Sequence, residues 1–148
     1  RKKGLKIMQV SLIPLEYTEW VWPKIEEYMK CAADYTYGRV EDDDIKDGII
    51  VGAGKQQLWA AFESEDDVYG AVVTEVWQYP KMRTLIMHFT GGRELPKWKD
   101  QMLELLQKFA ADQGCDAIES FGRGGWAKVF QKDGYKKRFI FYELPVEK

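Results

Sequence analysis

The stretch that most narrows what this chain can fold into is TLIMHFTGGRELPKWKDQMLELLQKFAADQG, from Thr84 to Gly114. Leu85, Ile86 and Met87, with Phe89 behind them, form an apolar run that suits a strand covered on both faces. Thr90-Gly91-Gly92 breaks the run and reads as a turn. Pro96 then stands where a first-turn proline would, its missing N–H costing nothing there. Trp98, Met102, Leu105, Leu106 and Phe109 follow at the spacings of one face of an α-helix, and Gly114 suits its end. A strand, a glycine-bearing turn and a helix N-terminus in succession present backbone N–H groups to an anion.

The rest of the chain supplies elements on either side. Lys6–Ile13 alternates loosely and predicts a first strand, stopped by Pro14. Val21, Ile25, Tyr28, Met29 and Ala32 mark the apolar face of a helix over Thr18–Ala33, with Pro23 placed in its first turn. The acidic run Glu41–Asp44 precedes Ile45, Ile49 and Ile50, as acidic residues favour the positive end of a short helix. Gln56–Phe62, Val68–Tyr79 and Met82–Phe89 are joined by short polar turns and predict an antiparallel meander. Asp116–Phe121 follows the long helix and should lie parallel to Met82–Phe89. A glycine-rich loop, a short helix over Trp126–Lys132 and a last strand over Tyr135–Leu144 complete the order. The expectation is one domain over residues 1–148, an α/β fold with a mixed sheet and helices on both faces, in the order β-α-α-β-β-β-α-β-α-β.

Composition excludes several classes. At 148 residues, with 45% apolar and 14% aromatic content, the chain can bury a real core. A net charge of −2 and no concentrated basic face argue against nucleic-acid binding. No stretch approaches the ~20 apolar residues of a membrane span. Cys31 and Cys115 read as two separate buried thiols in a reducing compartment, so the expected location is cytoplasmic. With one histidine and no cysteine pair at ligand spacing, no metal site is expected.

The element order, with these motifs placed on it, resembles the GCN5-related N-acetyltransferase (GNAT) superfamily from about Lys6 to Leu144. The fragments Tyr79-Pro80, Gly91-Gly92 with Trp98, Gly114-Cys115-Asp116 and Gly122-Arg123-Gly124-Gly125-Trp126 are similar, at pattern level, to GNAT-like proteins of tailed bacteriophages. The resemblance implies an acyl-coenzyme A-dependent N-acyltransferase with a small-molecule or protein amine as acceptor. A phage-encoded chain would act in the host cytoplasm or the virion, and a homodimer stays open. By the same resemblance the cofactor would lie on Phe89, Thr90, Gly91, Gly92 and Arg93. Phe130 stands where the superfamily often has a tyrosine that protonates the leaving thiolate, which leaves Tyr135 as the nearest hydroxyl in sequence. The superfamily's phosphate loop also carries its glycines directly before the helix, whereas Arg93-Glu94-Leu95-Pro96 intervenes here. These departures support an alternative: a non-catalytic GNAT-like phage protein.

Acyl transfer to an amine needs a base and donors for the developing oxyanion. His88, the single histidine, is the first candidate base, since an ordinary imidazole pKa of ~6.5 suits that role; the plain alternative is a histidine hydrogen-bonded within the sheet. Glu75, in the apolar run Val72–Trp77, and Glu119, near the end of Asp116–Phe121, are the candidate carboxylates; either could equally face solvent. Arg123 suits a phosphate or a substrate carboxylate, or a structural salt bridge. Lys97 and Lys99, with Arg93, suit cofactor phosphates or a solvated helix start.

Overall fold

The computed structural model describes residues 6–121 and 131–148. Five strands form one sheet in chain order, β1 (Gln9–Ile13), β2 (Gln56–Ser64), β3 (Asp67–Gln78), β4 (Arg83–Gly92) and β5 (Ala117–Ser120). The first four are antiparallel neighbours and β5 runs parallel to β4, as a helical crossover requires. Helices α1 (Thr18–Asp34) and α2 (Asp42–Val51) precede the meander, and α3 (Lys99–Asp112) makes the crossover.

Side-chain alternation sorts the core onto two faces. On one face Val21, Trp22, Ile25 and Met29 of α1, with Ile45 and Ile49 of α2, pack on Leu58, Ala71 and Val73. On the other, Met102, Leu106 and Ala110 of α3, with Trp98, pack on Trp59, Val72 and Leu85. The Trp59 indole N–H, buried in the second layer, donates to Thr74 Oγ1 at 2.8 Å, and the Thr74 hydroxyl donates on to Gln57 Oε1 at 2.9 Å. Both polar groups are thus satisfied inside an apolar layer. At the start of α2 the Asp44 carboxylate accepts the Glu41 N–H at 2.9 Å, which is how the acidic run is used.

Four expectations change. Thr90-Gly91-Gly92 is not a turn but the last part of β4. Its glycines are there because of packing: a Cβ on Gly91 would meet the Tyr28 carbonyl, and one on Gly92 would sit 2.5 Å from the Tyr69 carbonyl oxygen. The chain turns later, at Glu94 (φ 50°), and a 3-10 turn over Leu95–Lys97 holds Pro96 before α3 begins. Pro23 falls inside α1 rather than in its first turn. Cys31 is exposed and Cys115 half-buried, both free. Finally, Tyr135–Leu144 forms no strand: residues 136–148 are exposed and unpaired with the sheet, because β5 has β4 as its one neighbour among the described residues. The expected short helix over Trp126–Lys132 lies mostly outside the described residues; Gln131 and Lys132 are helical and Gly134 (φ 92°) follows them. Among the described residues no helix is long and apolar enough to cross a membrane.

Candidate functional site

Strand β4 changes its surroundings halfway along. Its pairing with β5 runs from Thr84↔Ala117 to Met87↔Ser120 and stops. Its pairing with β3 continues to Gly70↔Gly92, but with a register shift: Val73 lies opposite Phe89 and Thr74 opposite Met87, so His88 has no residue facing it. His88 is therefore a bulge, and bulges re-aim side chains and end pairing. From His88 to Gly92 the edge that faced β5 is open among the described residues, leaving backbone donors and acceptors for another extended chain.

The bulge turns His88 towards Glu75, Nε2 to Oε1 at 2.9 Å, with both side chains about one-fifth exposed. Gln56 Nε2 donates to the same carboxylate oxygen at 3.3 Å. With Glu75 ionised, Nε2 carries the hydrogen in this contact and the Nδ1 lone pair is left to take a proton. The carboxylate in the apolar run has a partner, and the histidine is hydrogen-bonded within the sheet.

Glu119 shares this face, because Glu75, Ile86 and Glu119 stand in one register row across β3, β4 and β5. It has its own partners, accepting from the Thr84 hydroxyl at 2.6 Å and the Tyr79 hydroxyl at 3.0 Å. The Tyr79 phenol is pushed above its ordinary pKa, first by that hydrogen bond and then by burial. Glu119 and His88 thus flank the point where β4 and β5 part, with no hydrogen bond between them.

Tyr135 lies on the opposite face. Its hydroxyl is 3.3 Å from Met87 Sδ, in a cavity of about 40 Å³ also lined by Thr90, Trp98, Lys99 and Asp133. Burial, then the Asp133 charge, push its pKa up to about 12. Such a phenol is a weak acid towards a thiolate whose ordinary pKa is ~8.5. Lys99, in the first turn of α3, reaches both Asp133 oxygens, at 2.7 and 2.9 Å, and Asp100 at 2.9 Å; its own pKa is raised by Asp100 first and Asp133 second.

The remaining predicted residues scatter. Phe89 packs into the α1 layer, and Thr90 lines the cavity. Arg93 is fully engaged: it ion-pairs with Asp67, donates to the Tyr28 hydroxyl at 3.3 Å and lies 3.9 Å above the Tyr69 ring, while its backbone N–H donates to the Tyr69 carbonyl at 2.7 Å. Arg123 and Phe130 lie outside the described residues. What sequence reasoning missed is Asp133 and Gln56. Nothing local marks either; each matters through a contact many residues away.

No family model and no curated protein sequence matches this chain. Solved structures do match over nearly its whole length. The AAC(6')-Iy enzyme in complex with the bisubstrate analogue CoA-S-monomethyl-acetylneamine is 17% identical with a TM-score of 0.66, covering 94% of this chain and 99% of that one. A predicted acetyltransferase from Clostridium acetobutylicum, solved with acetyl-CoA, is 12% identical with a TM-score of 0.66, covering 94% and 96%. The ribosomal-protein-alanine N-acetyltransferase from Brucella melitensis biovar Abortus 2308 is 10% identical with a TM-score of 0.63, covering 95% and 99%. The fold is that of the GNAT acetyltransferases. At these identities the likeness carries the architecture and not the chemistry.

Proposed function

We propose that this protein is an acyl-coenzyme A-dependent N-acyltransferase acting on an amine, with His88 as the base. The observation that carries the reading is the His88–Glu75 pair at the bulge where β4 loses its β5 partner. A protonated amine cannot attack a carbonyl. His88 Nδ1 would take the proton that the amine must lose, and Glu75 would hold the ring and stabilise the imidazolium formed. Glu119, on the same face, would attract the cationic acceptor. A backbone N–H on the open edge, from one of the successive residues Phe89 and Thr90, would hydrogen-bond an acyl carbonyl as its oxygen gains charge. The donor itself would supply a thioester carbonyl as electrophile.

The residues fit one end of that donor better than the other. The open edge of β4, with Met87 and Thr90, suits an extended pantetheine arm. The cavity beside it, however, takes water rather than a ligand of 300 Å³ or more. Asp133 and Tyr135 fill the space, and at the diphosphate end Arg93 is already paired. Among the described residues predicted to meet phosphates, Lys97 and Lys99 are left, each now bound to a carboxylate, Glu94 and Asp133. That end favours the second reading in one respect, a GNAT-shaped protein without the chemistry.

Titration calorimetry with acetyl-coenzyme A, followed by turnover against a panel of amines, separates them. Saturable micromolar binding, with turnover lost in His88→Ala, is expected. No heat at millimolar ligand would sink the transferase reading.

A further inference from the structure

Helix α2 breaks a local rule in its interior. Gly48 stands within Asp42–Val51, although glycine is among the poorest helix formers and alanine the best. It is not among the glycines with positive φ, so no unusual dihedral requires it. A neighbouring side chain does. A Cβ at position 48 would lie 2.9 Å from Gln56 Oε1, closer than real Cβ contacts come. The space that a methyl group would fill is the seat of the Gln56 amide.

Gln56 opens β2 and stands directly opposite Glu75 in the β2–β3 register, so both side chains leave the same face of the sheet. With its oxygen turned to Gly48, the amide presents Nε2 to Glu75 Oε1 at 3.3 Å. The reverse orientation would set an amide oxygen against a carboxylate. The same Oε1 meets His88 Nε2 at 2.9 Å. One carboxylate oxygen thus holds both donors, the amide and the imidazole. A single bond to the ring fixes a distance; a second, from another strand, fixes the direction from which the carboxylate approaches.

We propose that Gln56, seated by Gly48, is a positioning residue for His88: it aims the Glu75 carboxylate, which in turn holds the ring with Nε2–H towards it and Nδ1 as the basic nitrogen. The relay runs from α2 through β2 and β3 to the bulge in β4, each link one side chain long. Its consequence for turnover rests on the acyltransferase reading; its geometry does not. Two substitutions separate this role from packing. Gly48→Ala improves the helix while pushing aside the end of a flexible side chain, so stability and positioning move in opposite directions. Gln56→Met keeps the length and loses the donor.

The experiment reads His88 by nitrogen NMR in the full chain, where the single histidine gives one unambiguous imidazole. No donor or acceptor is added. In the parent, Nε2 should carry the hydrogen at about pH 9, where an ordinary imidazole is neutral, and that hydrogen should exchange slowly with water. Both variants should speed the exchange about tenfold or more, with the urea midpoint of Gly48→Ala no lower than the parent's. In turnover, kcat should fall about tenfold in each, with KM within about twofold of the parent's. An unchanged His88 signal in Gln56→Met would overturn the proposal. So would a Gly48→Ala chain with a lowered urea midpoint and an undisturbed signal, because the glycine would then serve packing alone. A parent without turnover whose protected Nε2–H is lost in both variants would remove the transferase reading and uphold the positioning. An active parent, with kcat and signal both unchanged in Gln56→Met, would do the reverse.

Discussion

The two halves of β4 belong to one strand and have different jobs. Arg83–Met87 lies between β3 and β5, and Thr84, Leu85 and Ile86 are buried. His88–Gly92 has β3 on one side and an open edge on the other, and His88, Phe89 and Thr90 are half-buried. The first half is a frame paired with a strand on each side. The second half keeps backbone and side-chain capacity in reserve, held at fixed geometry by the first. Function tends to sit at such under-satisfied ends of rigid elements.

Two substitutions three residues apart put that contrast to its strongest test. Leu85 is fully buried among α3 side chains. Leu85→Ala should cost about 3 kcal/mol through lost burial and a residual cavity, read as a lowered urea midpoint. A loss under about 1 kcal/mol would mean that the paired half is no better packed than the open one. His88→Ala should do the reverse, leaving the urea midpoint within about 1 kcal/mol while lowering kcat about 100-fold or more. Glu75→Gln should fall between, about tenfold in kcat, because the amide still hydrogen-bonds the ring but no longer stabilises an imidazolium. If His88→Ala unfolds the chain instead, the bulge is a structural feature and the division of labour along β4 fails.

The sequence carried the frame more clearly than the site, for a physical reason. Period-two and period-3.6 patterns follow from burial, so the meander, α1 and α3 could be read from the spacing of apolar residues. A bulge is a mismatch of one residue between two strands, and neither Val73-Thr74 nor Met87-His88-Phe89 signals it in composition. Gly91 and Gly92 read as a turn because glycine usually marks one. Here they allow Tyr28 and Tyr69 to approach an extended strand, a demand set by elements more than twenty residues away. Tyr135–Leu144 has the composition of a strand but pairs with no strand among the described residues, since composition states a tendency while pairing depends on a neighbour.

The open half is also the half that is plugged, and this yields a smaller effect. Asp133 sits over Lys99 at the start of α3, a carboxylate where an incoming phosphate would meet the helix N-terminus. Asp133→Asn should raise affinity for acetyl-coenzyme A about fivefold by freeing Lys99, as measured by calorimetry at fixed ionic strength. Lys99→Ala should weaken binding instead. Equal affinity in both variants would separate this helix start from the donor altogether.

The smallest effect concerns the other plug residue and reads out in pH. Tyr135 is held neutral by burial and by the Asp133 charge, with its pKa pushed up to about 12 from an ordinary value near 10. The folded state therefore binds the phenolic proton more tightly than the unfolded state does. That contribution is fully present below pH ~10 and is lost as the pH rises through 12. Tyr135→Phe removes the titrating group but keeps the ring in the cavity. Urea midpoints of parent and variant should thus run parallel from pH 7 to about 9, and from about pH 10 upward the parent should lose stability faster. Tyrosinate absorbance gives the same answer locally, the variant lacking one late-titrating phenol. Parallel curves through pH 11 would mean that Tyr135 is wet, and that the space beside Met87 and Thr90 is open to solvent rather than plugged.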